Sequence, residues 1–238
     1  MTAFGGGFSD AKPYPYVVAI IQARMGGTRF PGKVMADLNG KPVLWHVIER
    51  VKRATRVHQV VVASPDLELV EYANYHQAWG FHFPQEPENV LMRYIKAAHW
   101  AGAEIVVRIT ADCPLICPEI IDDCVKGYLD NRVDISTNVL RRSFMKGLDV
   151  EVTHPNVLKR IFHLTNDPRY RQHVTLYAYE NPALFAFKNI SHFNDYSFIN
   201  VCCDADKDLD NLKGFFDTVD SMNYGYPELL RYFASGER

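Results

Sequence analysis

The sequence predicts an α/β protein: a mostly parallel sheet with helices on both faces and a smaller inserted lobe. Three observations predict it. Short β-branched runs such as Val17–Gln22 (VVAIIQ) show no polar alternation, the pattern of strands buried on both faces. These runs alternate along the chain with amphipathic segments of helical period. With 238 residues, 47% of them hydrophobic, the chain can bury such a core without disulfide staples.

The elements follow in order. Residues 1–16, MTAFGGGFSDAKPYPY, lack the charged-then-apolar pattern of a secretory signal and read as a flexible leader before one domain at 17–238. After the strand at 17–22, Leu44, Val47, Ile48 and Val51 recur at helical spacing within 42–53, with Pro42 suited to a first turn. A strand at 57–63 precedes a helix at 67–79 ended by Gly80, and FHF at 81–83 makes a short strand. Residues 89–101 form a helix terminated by Gly102, 104–109 (EIVVRI) a long strand, and Pro118 starts another helix. Beyond Val133 the pattern changes. The alternating run at 148–152 reads as an edge strand or hairpin, helices follow at 155–164 and 170–179, strands near 184–190 and 198–203, and a final helix at 206–219. Residues 134–190 make up the inserted lobe.

Composition excludes several classes. A net charge of −2 gives no general electrostatic reason to expect a nucleic-acid partner. No apolar run approaches the roughly 18 residues of a membrane span. Five cysteines, an odd number without CxxC spacing or a nearby His pair, suit free thiols in a cytoplasmic chain rather than a zinc site or disulfide framework.

In open α/β sheets, ligands sit beyond the carboxyl ends of strands near the point where strand order reverses. The residues after Gln22, Ala63, Ile109 and Cys203 are therefore candidates, Ser64 among them. The loop after the first strand carries most of the chemistry: Gln22-Ala23-Arg24-Met25-Gly26-Gly27-Thr28-Arg29-Phe30-Pro31-Gly32-Lys33. Glycines let backbone N–H groups surround an anion, while Arg offers a planar fork and Lys a point charge for phosphate oxygens. Neither GxxxxGK[ST] nor GxGxxG is present, so the P-loop and dinucleotide fingerprints fail on spacing.

This loop, followed by Leu38-Asn39-Gly40-Lys41-Pro42-Val43, resembles the start of the cytidylyltransferases that make CMP-activated sugars. It is similar to CMP-3-deoxy-manno-octulosonate synthetases and to the spore-coat polysaccharide biosynthesis F branch. Segments 108–116 (RITADCPLI), 147–152 (GLDVEV) and 171–175 (RQHVT) resemble that branch in particular. The resemblance covers roughly residues 17–215. It implies a Rossmann-like fold of the nucleotide-diphospho-sugar transferase type, a CTP substrate, Mg²⁺, a sugar-like acceptor and a homodimer using the inserted lobe. Residue by residue, it gives Arg24, Arg29 and Lys33 to the triphosphate, with Gln22, Ala23, Met25, Gly26, Thr28 and Ser64 around the nucleotide. Asp112 matches a Mg²⁺ ligand. Asp204 matches the second, although CDADKDL replaces the relatives' VDTPEDL-like stretch and leaves Asp206 as the alternative. Where relatives carry GSED-like residues, this chain has Gln85-Glu86-Pro87-Glu88-Asn89.

The chemistry agrees with that reading. Nucleotidyl transfer asks the protein for positioning and charge neutralisation. Mg²⁺ takes one or two carboxylates plus phosphates and water, so Asp112 and Asp204 at two strand ends suffice. Arg24, Lys33 and Asp112 are the expected catalytic residues. Asp149 and Glu151 alternate along one strand and suit sugar hydroxyls, while Arg171 and His173 suit an anionic group of the acceptor; solvent-facing roles stay open for all four. A glycosyltransferase using Asp204-Ala205-Asp206 as a DxD-like metal site is the alternative function, and a non-enzymatic nucleotide-binding module the third.

Overall fold

The structure is a computed structural model, and it describes residues 15–27, 30–219 and 222–234. Most of the expected leader, together with Thr28 and Arg29, lies outside the described residues. The chain opens with β1 (Val17–Gln22), whose first five residues are buried, and short β2 (Asp37–Leu38) and β3 (Lys41–Pro42) pair as a small ribbon before α1 (Val43–Val51). There follow β4 (Gln59–Ser64), α2 (Leu67–Tyr75), β5 (Trp79–His82), α3 (Val90–Trp100), β6 (Ile105–Thr110) and α4 (Pro118–Leu129). Then come β7 (Ile135–Thr137), β8 (Glu151–Thr153), α5 (Pro155–Leu164), α6 (Pro168–Gln172), α7 (Leu176–Glu180), β9 (Phe187–Asn189), α8 (Asp206–Phe216) and α9 (Tyr226–Ala234).

Among the described residues the main sheet runs β5-β4-β1-β6-β8-β7-β9, with β8 alone antiparallel to its neighbours. The expected α/β class holds. Successive side chains of β1 divide between the two layers. Val17, Ala19 and Ile21 pack with α1, α4 and α8, whereas Val18 and Ile20 pack with α3 and α5. Because β1 is buried on both faces, its sequence needs no polar alternation. The stretch 134–190 supplies β7, β8 and β9 to this same sheet, with α5 and α6 lying against α3.

Several elements differ from expectation. β8 is an interior strand between β6 and β7, not an edge, although its antiparallel pairing with β7 is hairpin-like. Gly80 does not end a helix. α2 stops at Tyr75, Gln77 takes the left-handed conformation (φ 58°), and Gly80 lies in β5. A Cβ at Gly80 would stand 2.5 Å from the Val70 carbonyl oxygen, so glycine there lets β5 lie close on α2. The expected helix at 170–179 divides into α6 and α7, separated by the buried Val174 at φ 51°. That conformation is unusual for a β-branched residue. Residues 198–203 form no strand, only one bridge between Lys146 and Asn200, and α9 is an addition beyond the helix expected to be final.

Candidate active site at the carboxyl ends of β1 and β6

β4 and β5 extend to one side of β1 and β6 to the other, so strand order reverses at β1. Gln22 stands in register with both Ala63 and Thr110, which leaves the three strand ends flush. Backbone bonds carry the alignment past the sheet: Ala23 N–H donates to the Ala63 carbonyl (3.2 Å) and Ala111 N–H to the Gln22 carbonyl (3.1 Å). A cleft of about 320 Å³ opens there. Its lining includes Gln22, Ala23, Arg24, Gly26, Gly27, Lys33, Arg108, Thr110, Asp112, Gln172, His173 and Asp204.

Lys33 is the centre of charge. Its Nζ lies 2.6 Å from Asp112 Oδ2 and 3.1 Å from Asp204 Oδ1. Burial disfavours charge on both Lys33 and Asp112. The pairing outweighs it, raising the Lys33 ammonium above its ordinary value and lowering the Asp112 carboxyl below its own.

The second carboxylate arrives by an irregular route. The Cys203 N–H donates to the Asp112 carbonyl at 2.8 Å, clipping segment 201–204 to the loop after β6. Gly147 (φ 99°) makes room, since a Cβ there would sit 2.8 Å from the Cys202 nitrogen. Asp208 caps α8 by accepting from the Asp204 (2.8 Å) and Ala205 (2.7 Å) N–H groups, so Asp204 is not needed as a side-chain cap. Asp206 is exposed in the first turn of α8 and outside the cleft lining. The geometry therefore brings Asp204, rather than Asp206, to Asp112.

Loop 22–33 is pinned by Asp66, which the sequence reading did not single out. The Met25 N–H donates to Asp66 Oδ2 at 2.7 Å, and the Met25 carbonyl accepts from the Gly27 (3.0 Å) and Gly32 (2.9 Å) N–H groups. Ser64 is fully buried outside the cleft lining, and its hydroxyl accepts from the Asp66 N–H, so it supports the loop from behind. Arg24 Nη1 meets Glu88 Oε1 at 2.5 Å, and that bond lowers the Glu88 carboxyl below its usual range. Glu88 belongs to the stretch that departs from the GSED-like pattern.

The four expected acceptor residues scatter. His173 lines the cleft. Arg171 does not; its guanidinium lies 3.4 Å from the centre of the Phe162 ring and donates to Asn166. Asp149 precedes β8 and takes both outer nitrogens of Arg142. Glu151, expected to face sugar hydroxyls, is 3% exposed and bonded to Arg108, Thr175 and Tyr179. Sequence alternation could not distinguish solvent from the interior of a sheet. Arg108, Thr110 and Gln172 line the cleft without having been singled out as ligands, although 108–116 and 171–175 were the resembling segments.

A Mg²⁺ ion fits the donor set. Two hard carboxylate oxygens already converge on one cation, the Lys33 ammonium, beside a loop suited to phosphates. Among the described residues no three His, Cys, Asp or Glu side chains group as a metal cage, so an ion held by these two carboxylates would take its remaining ligands from phosphate and water.

Comparison with known proteins extends the argument from the site to the chain. The spore coat polysaccharide biosynthesis protein SpsF of Bacillus subtilis is 32% identical over 176 residues, covering 71% of this chain and 72% of that protein. The 3-deoxy-manno-octulosonate cytidylyltransferase of Trichlorobacter lovleyi is 36% identical over 115 residues, 48% of this chain and 46% of that one. A solved cytidylyltransferase from Leptospira borgpetersenii superposes with a TM-score of 0.87 at 29% identity, covering 92% of this chain and 93% of the other. A CMP:2-keto-3-deoxy-manno-octonic acid synthetase complexed with CTP shares the fold, with a TM-score of 0.68 at 18% identity over 85% of this chain and 99% of its own. The family described as cytidylyltransferase matches residues 18–238, and this chain belongs to it.

Proposed function

We propose that this cytidylyltransferase uses Mg²⁺ and CTP to activate a sugar-like acceptor, giving a CMP-linked product and pyrophosphate. The observation that carries the reading is Lys33 bridging Asp112 and Asp204 in the lining of the cleft. In the reaction an acceptor hydroxyl attacks the α-phosphorus of CTP, and the bond from that phosphorus to the bridging oxygen of pyrophosphate breaks. Arg24 and Lys33 hold triphosphate oxygens by charge-assisted hydrogen bonds. Asp112 and Asp204 hold Mg²⁺, which when bound neutralises charge on the phosphate oxygens and the leaving pyrophosphate. Gln22, Ala23 and Gly26 line the nucleotide side, Met25 and Ser64 shape it, and Gln172 and His173 close the cleft above the acceptor. The DxD-like alternative loses support because Asp206 is exposed outside the cleft.

We also propose a homodimer. Leu140, Leu184, Phe193 and Phe198 are exposed on the half of the chain after β6, Phe193 completely, and apolar surface of that kind favours a partner. A cytoplasmic location suits five cysteines that are all free; no helix among the described residues is long and apolar enough to cross a membrane.

Pyrophosphate release from CTP, measured with and without 3-deoxy-manno-octulosonate and other sugar acceptors, tests the reading. Release that requires both an acceptor and Mg²⁺ supports it. Hydrolysis of a nucleotide sugar without any use of CTP would favour a glycosyltransferase.

A further inference from the structure

We propose that Cys113 and Cys202 form a redox-modifiable dithiol beside the cleft. A hydroperoxide oxidises the pair to a disulfide, which displaces the carboxylates of Asp112 and Asp204 and lowers Mg²⁺-dependent CTP binding and turnover. The modification site stands on the geometry of the two thiols; its effect on CTP rests on the reading under which Asp112 and Asp204 hold Mg²⁺.

The two cysteines are 89 positions apart in the chain, yet their Sγ atoms lie 4.0 Å apart, in hydrogen-bond contact. Two backbone features bring them together. The Cys203 N–H donates to the Asp112 carbonyl at 2.8 Å, which ties the segments that carry the two thiols. Gly147 lets the backbone of Cys202 come close, since a Cβ there would stand 2.8 Å from the Cys202 nitrogen and 3.1 Å from its Sγ. Cys117, Cys124 and Cys203 are packed in the apolar core and do not share this position. Packing alone does not account for the pair either. Cys113 Sγ lies 3.2 Å from Thr110 Oγ1 and donates to Asp112 Oδ1 at 3.5 Å, both polar partners. Cys202 is partly exposed, whereas Cys113 is 4% exposed, so an oxidant reaches Cys202 first and Cys113 resolves the product.

The oxidation balances with hydrogen peroxide as the oxidant. The Cys202 sulfur attacks one peroxide oxygen; an S–O bond forms, the O–O bond breaks, and the departing hydroxide takes up the thiol proton and leaves as water. The Cys113 sulfur then attacks the Cys202 sulfur. The S–S bond forms, the S–O bond breaks, and hydroxide leaves with the Cys113 proton as a second water. The two thiols lose two electrons and two protons, and the peroxide is reduced to two waters. A disulfide holds its sulfurs about 2.0 Å apart, so the pair must close from 4.0 Å. Turning the side chains takes the Cys113 sulfur off Asp112, and shifting the backbone moves the segments that carry Asp112 and Asp204. Both routes disturb the carboxylates that meet on Lys33. A displacement of about 1 Å at a reacting centre costs roughly a hundredfold in rate.

The test treats the reduced protein with hydrogen peroxide, alkylates the remaining thiols after denaturation, and maps the peptides by mass spectrometry without reduction. Alkylatable cysteines should fall from five to three, with the peptides of Cys113 and Cys202 joined and two hydrogens lighter. Calorimetric titration of CTP with Mg²⁺ should show affinity weakened by roughly tenfold or more, and dithiothreitol should restore it. Cys113→Ser and Cys202→Ser should each bind CTP as reduced wild type does and resist peroxide. Cys202→Ser, at the partly exposed position, carries the test by itself if Cys113→Ser fails to fold. Five alkylatable cysteines after peroxide, a bond to another cysteine or to a second chain, or peroxide sensitivity that persists in Cys202→Ser would overturn the proposal. So would a Cys113–Cys202 disulfide that leaves CTP binding unchanged in a protein whose Mg²⁺ effect depends on Asp112. The same disulfide in a protein whose CTP binding ignores Asp112→Asn would keep the dithiol and overturn the metal reading instead.

Discussion

Lys33 sets one positive charge against two carboxylates, so the Lys33–Asp112–Asp204 group keeps a formal excess of one negative charge. A divalent cation offsets that excess, and its remaining charge is available to the oxygens of a triphosphate. Replacing Arg24 or Lys33 with Ala should lower CTP turnover by roughly ten- to a hundredfold, since each charge-assisted hydrogen bond contributes about 1.5–3 kcal/mol. Steady-state pyrophosphate release measures this, and unchanged kinetics in both variants would remove the loop from the site. Asp112→Asn and Asp204→Asn keep size but remove the charge a hard cation requires. Activity should collapse in both with little change in melting temperature, while Asp206→Asn, altered at an exposed position outside the cleft, should retain it. The reverse order for Asp204 and Asp206 would move the second metal ligand into α8.

At the scale of elements, Gly147 has the sharpest requirement. Its φ of 99° and the 2.8 Å approach of a Cβ to the Cys202 nitrogen mean that Gly147→Ala must push segment 201–204 away from the loop after β6. Such strain costs on the order of 1–3 kcal/mol. Thermal melting should report that loss, and Mg²⁺-dependent activity should fall with it because Asp204 lies on the displaced segment. A variant with wild-type stability and activity would contradict this account of the turn. Helix α1 offers a pH test. His46 is 2% exposed, its Nε2–H donates to the Leu38 carbonyl at 2.7 Å, and its Nδ1 is buried without a partner among the described residues. Burial lowers its pKa, so the folded protein keeps the ring neutral while the unfolded chain protonates near pH 6.5. The stability from this neutral ring is complete above about pH 6.5 and is lost as pH falls toward the lower folded value. Melting temperature should therefore decline below that pH, and His46→Leu should flatten the decline; an identical slope would refute the assignment.

Elements also show what the sequence could reveal. β1, β4 and β6 were legible because strands covered on both faces are mostly apolar runs. Arg24, Asp112 and Asp204 were legible because each stands just beyond such a run, and Lys33 because it ends the basic, glycine-rich loop after β1. Segment 198–203 has the same apolar content without a partner strand, so composition could not show that it makes a single bridge beside Lys146 and clips onto the Asp112 carbonyl. Gly80 reads as a helix stop in any local view; its reason is the Val70 carbonyl ten residues earlier. Glu151 and Arg108 are partners across β6 and β8, and their pairing depends on a register that local sequence does not encode.

For the whole molecule, the sheet divides the labour at β1. The loop after β1, tied by Asp66 to the end of β4 behind it, forms one wall of the cleft, and β6, backed by the Glu151 network, forms the other. The exposed Leu184, Phe193 and Phe198 belong to the half of the chain that carries β7–β9. Light scattering on the purified protein should give twice the monomer mass, and Phe193→Ser with Phe198→Ser should shift it toward monomer; a wild-type monomer would remove the dimer. The central claim is that Asp112 and Asp204 recruit Mg²⁺ to hold CTP. Calorimetric titration of CTP with and without Mg²⁺, into wild type and Asp112→Asn, tests it without knowledge of the acceptor. CTP should bind wild type much more tightly with Mg²⁺, and Asp112→Asn should abolish that difference. Equal CTP affinity with and without Mg²⁺ in wild type, or an undiminished Mg²⁺ effect in Asp112→Asn, would contradict it.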